Sequence, residues 1–499
     1  MFALSYDSPS CFTVHRGKEL GSGVVEGVLV SSTKCWRRPL KFLALYMAVL
    51  LFVMPVRSQA TTAYNACMVH SLASVNAIVQ GDYKAAGKYF SPAIANQLPP
   101  TKIEQVWRSV QMEAGKYQDH GAAQQLRVDG QFAVVLPATF AHAKLDFFYV
   151  CDSRSLITTM RLAPPVQLNA AIESNRRAGE VRVPAEATIA ANGARVKSLL
   201  VPSPYGPLRG ALTMPSGQGP FPAVVLIGGS GPSNLDEAVG GSKPFQDIAD
   251  GLAATGIASL RYDKRLADYP LKTGANVDFT VDDEETNDAL AALQLLTRQP
   301  QIDQRRVFVL GHSEGGMLAP RIGRRVPTLA GLILLAAPAR QLLTVIQEQV
   351  QNQGQRLGLP EAQIQISENA FNAEQKLLAE ADPRHPPRGF FGGAPQSWWL
   401  SLHDYNQVAV AESLSLPMLI MQGGGDFQVS PKNDFDYWKK ALAGRSDVTF
   451  RFYPGLSHLF TPAGKTGTTA DYKNPAHVDP KVITDIADWI KAQPLAKSK

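Results

Sequence analysis

From Pro202 onward the sequence alternates short apolar runs, rich in β-branched residues, with stretches of helical periodicity, an order that constrains the chain to a doubly wound α/β sheet. Strands are expected at Leu208–Met214, Ala223–Ile227, Ile257–Tyr262, Val307–Leu310, Leu329–Leu335, Pro417–Gln422 and Val448–Tyr453. Helices are expected at Phe245–Thr255, Asp283–Arg298, Ser313–Arg325, Lys432–Ala443 and Val482–Ala492. A run such as Ala223–Ile227 is apolar at every position, whereas a strand with one wet face would alternate, so these strands should be mostly parallel and covered on both faces. Between Arg340 and Glu412 the alternation stops, giving way to Gln-rich helical sequence and an aromatic group of Phe390, Phe391, Trp398 and Trp399. Its length and exposed-looking aromatics suggest a lid over the sheet, or else a packing or dimer surface.

The 499 residues exceed what one ordinary domain needs, and 45% apolar against 18% charged residues is a globular balance. Residues 61–163 run differently from the rest. Val69, Leu72, Val75 and Val79 recur at helical steps, a second helix is expected after Gly81-Asp82, and Phe132–Leu136, Leu145–Cys151 and Leu156–Leu162 read as strands. Helices first and strands after imply a small α+β domain. A linker with the first strands of the sheet follows at 164–205, and the larger domain occupies 206–499.

Residues 1–60 read as a leader. Phe42–Val56 has no charged residue, Arg37, Arg38 and Lys41 precede it, and Ser58-Gln59-Ala60 follows as a small-x-small cleavage signal, so a signal peptide over about 36–60 with cleavage near Ala60 is expected. The run falls short of the roughly 20 apolar residues of a membrane span, so the expected place is periplasmic or secreted, with a membrane anchor only where the leader stays uncleaved. The leader carries +4 of the net charge of +6, and no basic run with interleaved aromatics follows it, which argues against a nucleic-acid partner. Beyond the leader remain Cys67 and Cys151, either one disulfide or two buried thiols.

Gly311-His312-Ser313-Glu314-Gly315 is a G-x-S-x-G sequence standing between an expected strand and an expected helix, where small flanking residues admit a strained turn that exposes a serine. A serine hydroxyl needs a base to take its proton, and the base needs a carboxylate to fix its tautomer. The strand Pro417–Gln422 runs into Gly423-Gly424-Gly425-Asp426, and the next strand into Pro454-Gly455-Leu456-Ser457-His458. Ser313, Asp426 and His458 thus become nucleophile, acid and base, in the chain order of α/β-hydrolases. Asp434 and Asp436 compete as acids but are expected to face solvent on a helix; His403 and His477 compete as bases. An oxyanion needs preorganised N–H donors, for which the backbone N–H groups of Glu314 and of Ser230, in Gly228-Gly229-Ser230-Gly231-Pro232, are the candidates.

With these residues the chain resembles bacterial α/β-hydrolases of the esterase class that carry an N-terminal DUF3887-type domain. The likeness lies in Gly81-Asp82-Tyr83, Gly229-Ser230-Gly231-Pro232, Arg261-Tyr262-Asp263-Lys264-Arg265, the Gly-His-Ser-Glu-Gly-Gly of 311–316, and Gly455-Leu456-Ser457-His458-Leu459-Phe460. It implies the α/β-hydrolase fold with an inserted helical lid behind a small α+β domain, the same site residues, and action on small acyl esters. The chain departs from the pattern at Gly228, where relatives carry His, and at Leu266-Ala267-Asp268-Tyr269-Pro270, where they are glycine-rich.

Ala463-Gly464-Lys465-Thr466-Gly467 looks like the end of a phosphate-binding loop, but Leu459 stands where its first glycine belongs. No H-E-x-x-H, C-x-x-C or strand-linked G-x-G-x-x-G occurs, so neither a metal nor an organic cofactor is expected. The expected partner is a small-molecule ester. A peptidase or thioesterase would use the same three side chains, and a non-catalytic binding protein is the reading from a different class.

Overall fold

The computed structural model describes residues 56–499 apart from 129–130, 164–187, 191–192, 270–272, 274–275, 277, 383–389, 392–393 and 497–499. Of the leader expected over 1–60, residues 1–55 lie outside the described residues, as does much of the linker expected over 164–205. Among the described residues no helix is long and apolar enough to cross a membrane.

The first domain opens with helix α1 (Val56–Gln80) and, after short helical turns, α2 (Pro100–Ala114). An antiparallel sheet follows, made of β1 (Tyr117–His120), β2 (Gln124–Val128), β3 (Gln131–Phe140), β4 (Lys144–Cys151) and β5 (Ile157–Ala163). β1 and β2 pair with successive stretches of β3. Val75 and Ile78 of α1 and Ile103 and Trp107 of α2 pack on Val134, Leu136, Phe147 and Tyr149, the residues of one sheet face. Cys67 in α1 is bonded to Cys151 at the end of β4, with Cα atoms 5.9 Å apart. Strands β1 and β2 were not expected, because polar residues fill most of their positions; α2 was not expected either, although Ile103, Trp107, Val110 and Ala114 recur at helical steps.

The second domain holds a nine-stranded sheet. Its strands are β6 (Thr188–Ile189), β7 (Arg195–Val201), β8 (Leu208–Met214), β9 (Phe221–Ile227), β10 (Ala258–Tyr262), β11 (Ile302–His312), β12 (Gly331–Leu335), and, beyond a small hairpin of β13 (Phe390–Phe391) and β14 (Ala394–Pro395), β15 (Met418–Gly423) and β16 (Val448–Tyr453). The spatial order is β16-β15-β12-β11-β9-β10-β8-β7-β6. The six strands from β16 to β10 are parallel, and β8, β7 and β6 are antiparallel to their neighbours. This is the mixed sheet of an α/β-hydrolase.

Apolar runs without alternation follow from two covered faces. Ala223, Val225, Ile227, Val307 and Val309 point to the face covered by α4 (Asn287–Thr297) and α5 (Glu314–Arg325). Val224, Leu226, Phe308 and Leu310 point to the opposite one, under α3 (Pro244–Ala254) and α10 (Pro480–Ala492). The insertion contributes α6 (Leu342–Arg356), α7 (Glu361–Glu380), α8 (Gln396–Leu400) and α9 (Gln407–Ser413).

Two expectations are corrected here. Trp398 and Trp399 are buried, packed with Phe279, Val281, Met317 and Leu318, so they anchor the insertion to the helix behind Ser313 instead of facing solvent. Asp434 is fully buried, accepting from the Arg340 guanidinium at 2.7 and 3.2 Å and from the backbone N–H groups of Ala339 and Arg340, whereas Asp436 is exposed.

Just beyond β10 the side chain of Lys264 is buried, and its Nζ meets Glu284 at 2.9 Å, Glu285 at 2.9 Å and Glu314 at 3.3 Å. Glu284 also accepts from Trp398 Nε1 at 2.6 Å, so this charge cluster joins the strand end, the start of α5 and the insertion. One lysine cannot balance three carboxylates. Burial lowers the basicity of Lys264, but the carboxylates outweigh it and hold the ammonium well above its usual range. Burial pushes the Glu285 carboxyl up to about 8 against the pull of Lys264, so it holds a proton at neutral pH.

The disulfide closes a loop between positions 84 residues apart, which in chain-entropy terms stabilises the first domain by about 2–4 kcal/mol. Cys67→Ser with Cys151→Ser is expected to lower that domain's thermal transition while leaving the second domain's transition in place, as calorimetry would register. Glu285 has a folded pKa above its ordinary value of 4.5, so its contribution is fully present below that value and is lost as pH rises through about 8. Glu285→Gln, which fixes the neutral form, is expected to raise Tm at pH 9 and leave it nearly unchanged at pH 5; equal shifts at both would show that no proton is held there.

Candidate active site

Ser313 is the single residue between β11 and α5, and its backbone has φ +53° and ψ −116°. For a residue with a side chain this conformation costs about 1–3 kcal/mol. Its N–H donates to the Leu335 carbonyl at 2.9 Å and its carbonyl accepts from Met317 N–H at 2.9 Å, which pins the turn at both ends. A Cβ on Gly311 would collide with the Gly315 carbonyl, one on Gly315 with the carbonyls of Ile227 and Gly228, and one on Gly316 with Ala337. Glycine is therefore required because helix α5 starts in backbone contact with β9 and β11. Ser313 itself is half-buried.

The acid and base lie on neighbouring strand ends. Asp426 Oδ2 accepts from His458 Nδ1 at 2.8 Å and from Gln422 Nε2 at 2.8 Å, while Oδ1 accepts from the N–H groups of Gln428 at 2.7 Å and Val429 at 2.9 Å. Both side chains are buried. The three glycines before Asp426 have a definite cause: a Cβ on Gly423 would strike the carbonyls of Leu456 and Ser457, one on Gly424 would strike Pro454, and one on Gly425 would strike Ala463. They admit the backbone of the loop that carries His458, and Gly425 N–H donates to the Leu456 carbonyl at 2.8 Å.

The loop after β9 approaches the same place, since a Cβ on Gly229 would lie 3.3 Å from that of Ser313. The peptide groups of Gly229 are held on both sides: its N–H donates to Glu237 Oε1 at 2.6 Å and its carbonyl accepts from Lys264 Nζ at 3.0 Å. That carbonyl shares a planar trans peptide with the N–H of Ser230, so Lys264 turns the Ser230 N–H the opposite way, out of the buried charge cluster. Ser230 is exposed. Glu314 opens α5, where the first-turn N–H groups have no intrahelical acceptor.

His312, between Gly311 and Ser313, is buried with its ring 4.6 Å from that of His458. Its Nδ1 lies 2.8 Å from Glu237 Oε1 and its Nε2 2.9 Å from the His458 carbonyl. Sequence reasoning assigned no role to His312, Glu237 or Lys264. His312 is the second position of G-x-S-x-G and Lys264 lies in the Arg261–Arg265 stretch, but the partners of both are remote in the chain. Of the competing residues, His403 and His477 are exposed, and His477 pairs with Asp247 on the surface. Among the described residues no group of three or more His, Cys, Asp or Glu side chains is placed to hold a metal ion.

Residues 239–461 match the family described as serine aminopeptidase, S33, and residues 73–159 match the family DUF3887, a protein family of unknown function. Esterase EstD of Thermotoga maritima is 39% identical over 283 residues, which make up 57% of this chain and 65% of that relative, a little under two thirds of its length. Among solved structures, a Pyrococcus furiosus esterase is similar at 15% identity and a TM-score of 0.39, over 62% of this chain and 96% of that one. The esterase domain of a Rhodothermus marinus protein is similar at 16% identity and a TM-score of 0.37, over 60% and 98%. The sheet is that of an α/β-hydrolase, and the sequence matches the serine hydrolase family described as serine aminopeptidase, S33, over residues 239–461 and DUF3887 over residues 73–159.

Proposed function

We propose that the protein is a serine carboxylic-ester hydrolase that acts through an acyl-enzyme on small or medium acyl esters. The observation that carries this reading is the His458–Asp426 hydrogen bond, set at the ends of two parallel strands whose neighbours bring in the strained turn of Ser313. With Nδ1 committed to Asp426, the imidazole presents Nε2 as the atom that takes a proton from the Ser313 hydroxyl. Ser313 Oγ then attacks the ester carbonyl, and the backbone N–H groups of Glu314 and Ser230 receive the developing oxyanion. His458 returns the proton to the leaving alcohol, and water, activated by the same base, releases the acid. The name of the relative from Thermotoga maritima supports an ester over an amide as the scissile bond.

Export fits the same reading: the leader supplies a signal for it, and the Cys67–Cys151 bond suits an oxidising compartment such as the periplasm. Helix α6 is tied to the loops that follow the acid and the base. Gln349 donates to the Gln428 carbonyl beside the acid at 2.6 Å, and Arg356 donates to the Gly467 carbonyl, beyond the base, at 2.8 Å. Helices α6 and α7, not the buried tryptophans, are thus the part of the insertion suited to limit the acyl chain.

Protein lacking residues 1–60 is expected to hydrolyse p-nitrophenyl esters of short and medium acids. Ser313→Ala should abolish turnover and Asp426→Asn should lower kcat by roughly 10⁴-fold with folding preserved. Turnover of aminoacyl anilides or thioesters with no ester turnover would reassign the activity, and an unreactive Ser313 toward a fluorophosphonate would favour a binding protein. Replacing residues 342–381 by a short linker should shift acyl-length preference toward longer chains; an unchanged preference would remove the lid from the account.

A further inference from the structure

His312 presents an unusual pair of contacts. Nδ1 faces the Glu237 carboxylate and Nε2 faces the His458 backbone carbonyl, and both partners accept hydrogen bonds. A neutral imidazole has one N–H, so it could donate to only one of them and would turn a lone pair on the other. The same Glu237 oxygen already accepts the N–H of Gly229, and a proton shared between a carboxylate and an imidazole rests on the imidazole, the more basic group.

We propose that His312, held as an imidazolium by Glu237, is a positioning residue that ties the oxyanion loop and the base loop to the nucleophile turn. Each bond fixes a different piece: Glu237 holds His312 and the Gly229 peptide at one oxygen, and the second ring N–H holds the backbone of His458 itself. His312 is covalently next to Ser313, so the three segments that must meet around an ester carbonyl share one hydrogen-bonded bracket. The groups facing the ring are Glu237 from the oxyanion loop and His458 and Asp426 from the two strand ends. Lys264, with Glu284 and Glu285, meets the bracket through the Gly229 carbonyl and through Glu314, next to Ser313. Burial by itself would lower the His312 pKa, but the charge and hydrogen bond of Glu237, aided by the His458 carbonyl and Asp426, outweigh it and raise the pKa above the ordinary value of 6.5. The charged form is therefore favoured beyond the range of an ordinary histidine and is lost as pH rises past that raised value.

This inference rests on the serine-hydrolase reading for its consequence in rate, though not for the protonation state, and the two are tested separately. With nitrogen-15 histidine in the chain of nine histidines, the spectrum of the intact protein, assigned by difference against His312→Gln, is expected to show both ring nitrogens of His312 protonated at pH 7. A single protonated nitrogen at that pH would overturn the proposal whatever the enzyme hydrolyses. In steady-state assays Glu237→Gln is expected to lower kcat roughly 10–100-fold with KM little changed, the size of effect that slight misplacement of reacting groups produces, and to move the alkaline limb of the pH profile to lower pH. Glu237→Asp should recover part of kcat and return the limb toward higher pH. A loss of rate with the limb unmoved, or one matched by an equal loss for both variants, would mean that Glu237 only stabilises the fold. Should Glu237→Gln fail to fold, the spectrum of the unmutated protein still decides the question, and loss of fluorophosphonate labelling at Ser313 would instead count against the serine reading.

Discussion

Backbone-to-backbone contact at the carboxyl ends of the parallel strands is the constraint on which the hydrolase domain depends. Helix α5 begins against the carbonyls of Ile227 and Gly228, and the loop bearing His458 lies against the Gly423 turn, so side chains at Gly311, Gly315 or Gly423 would drive these segments apart. Such closeness makes the positive φ of Ser313 tolerable. The strain of about 1–3 kcal/mol is offset by bonds to Leu335 and from Met317 and by apolar strands packed on both faces, which leave the turn no relaxed alternative. The same closeness brings three loops, distant in sequence, within one hydrogen bond of one another.

Much of this was legible in the chain, for definite reasons. Ser313, Asp426 and His458 each stand just past an unmistakable apolar strand, and the α/β-hydrolase order fixes which comes first. Strands β9 and β15 were read to within two residues at each end because fully covered strands give uninterrupted apolar runs. The glycines before Asp426 were visible too, although their cause, contact with the Leu456–Ser457 carbonyls, belongs to tertiary structure.

What could not be read was partnership across distance. Asp434 sat in a helical pattern that suggested solvent, and the Arg340 guanidinium with the N–H groups of Ala339 and Arg340, some 94–95 residues earlier, makes its burial acceptable. Trp398 and Trp399 looked exposed because an aromatic cluster in a polar insertion carries no sign of which side it faces; Glu284, 114 residues earlier, receives the Trp398 N–H and settles it. Glu237 and Lys264 lie in polar stretches without periodicity, and nothing local marks them as the two holders of the Gly229 peptide.

Buried charge of this kind is hard to explain as a source of stability. Removing a lysine and three glutamates from water costs several kcal/mol per ion, and apolar side chains of the same volume often serve the fold as well or better. What apolar packing cannot do is orient a dipole. A methionine in place of Lys264 would fill the space and keep the loop near Ser313, but it would leave the Gly229–Ser230 peptide free to rotate about its flanking bonds. An ammonium on the carbonyl of that peptide fixes its plane, and since the peptide is planar the N–H of Ser230 is fixed with it. Glu237 does the corresponding work on the preceding N–H, so two opposite charges grip consecutive peptide groups from opposite ends. The proton on Glu285 removes one of the two excess negative charges and leaves in place the Lys264 contact that sets the peptide. An oxyanion site gains from donors that need no reorganisation when charge develops, and a buried charge pair is a means of obtaining that rigidity in a glycine-rich loop.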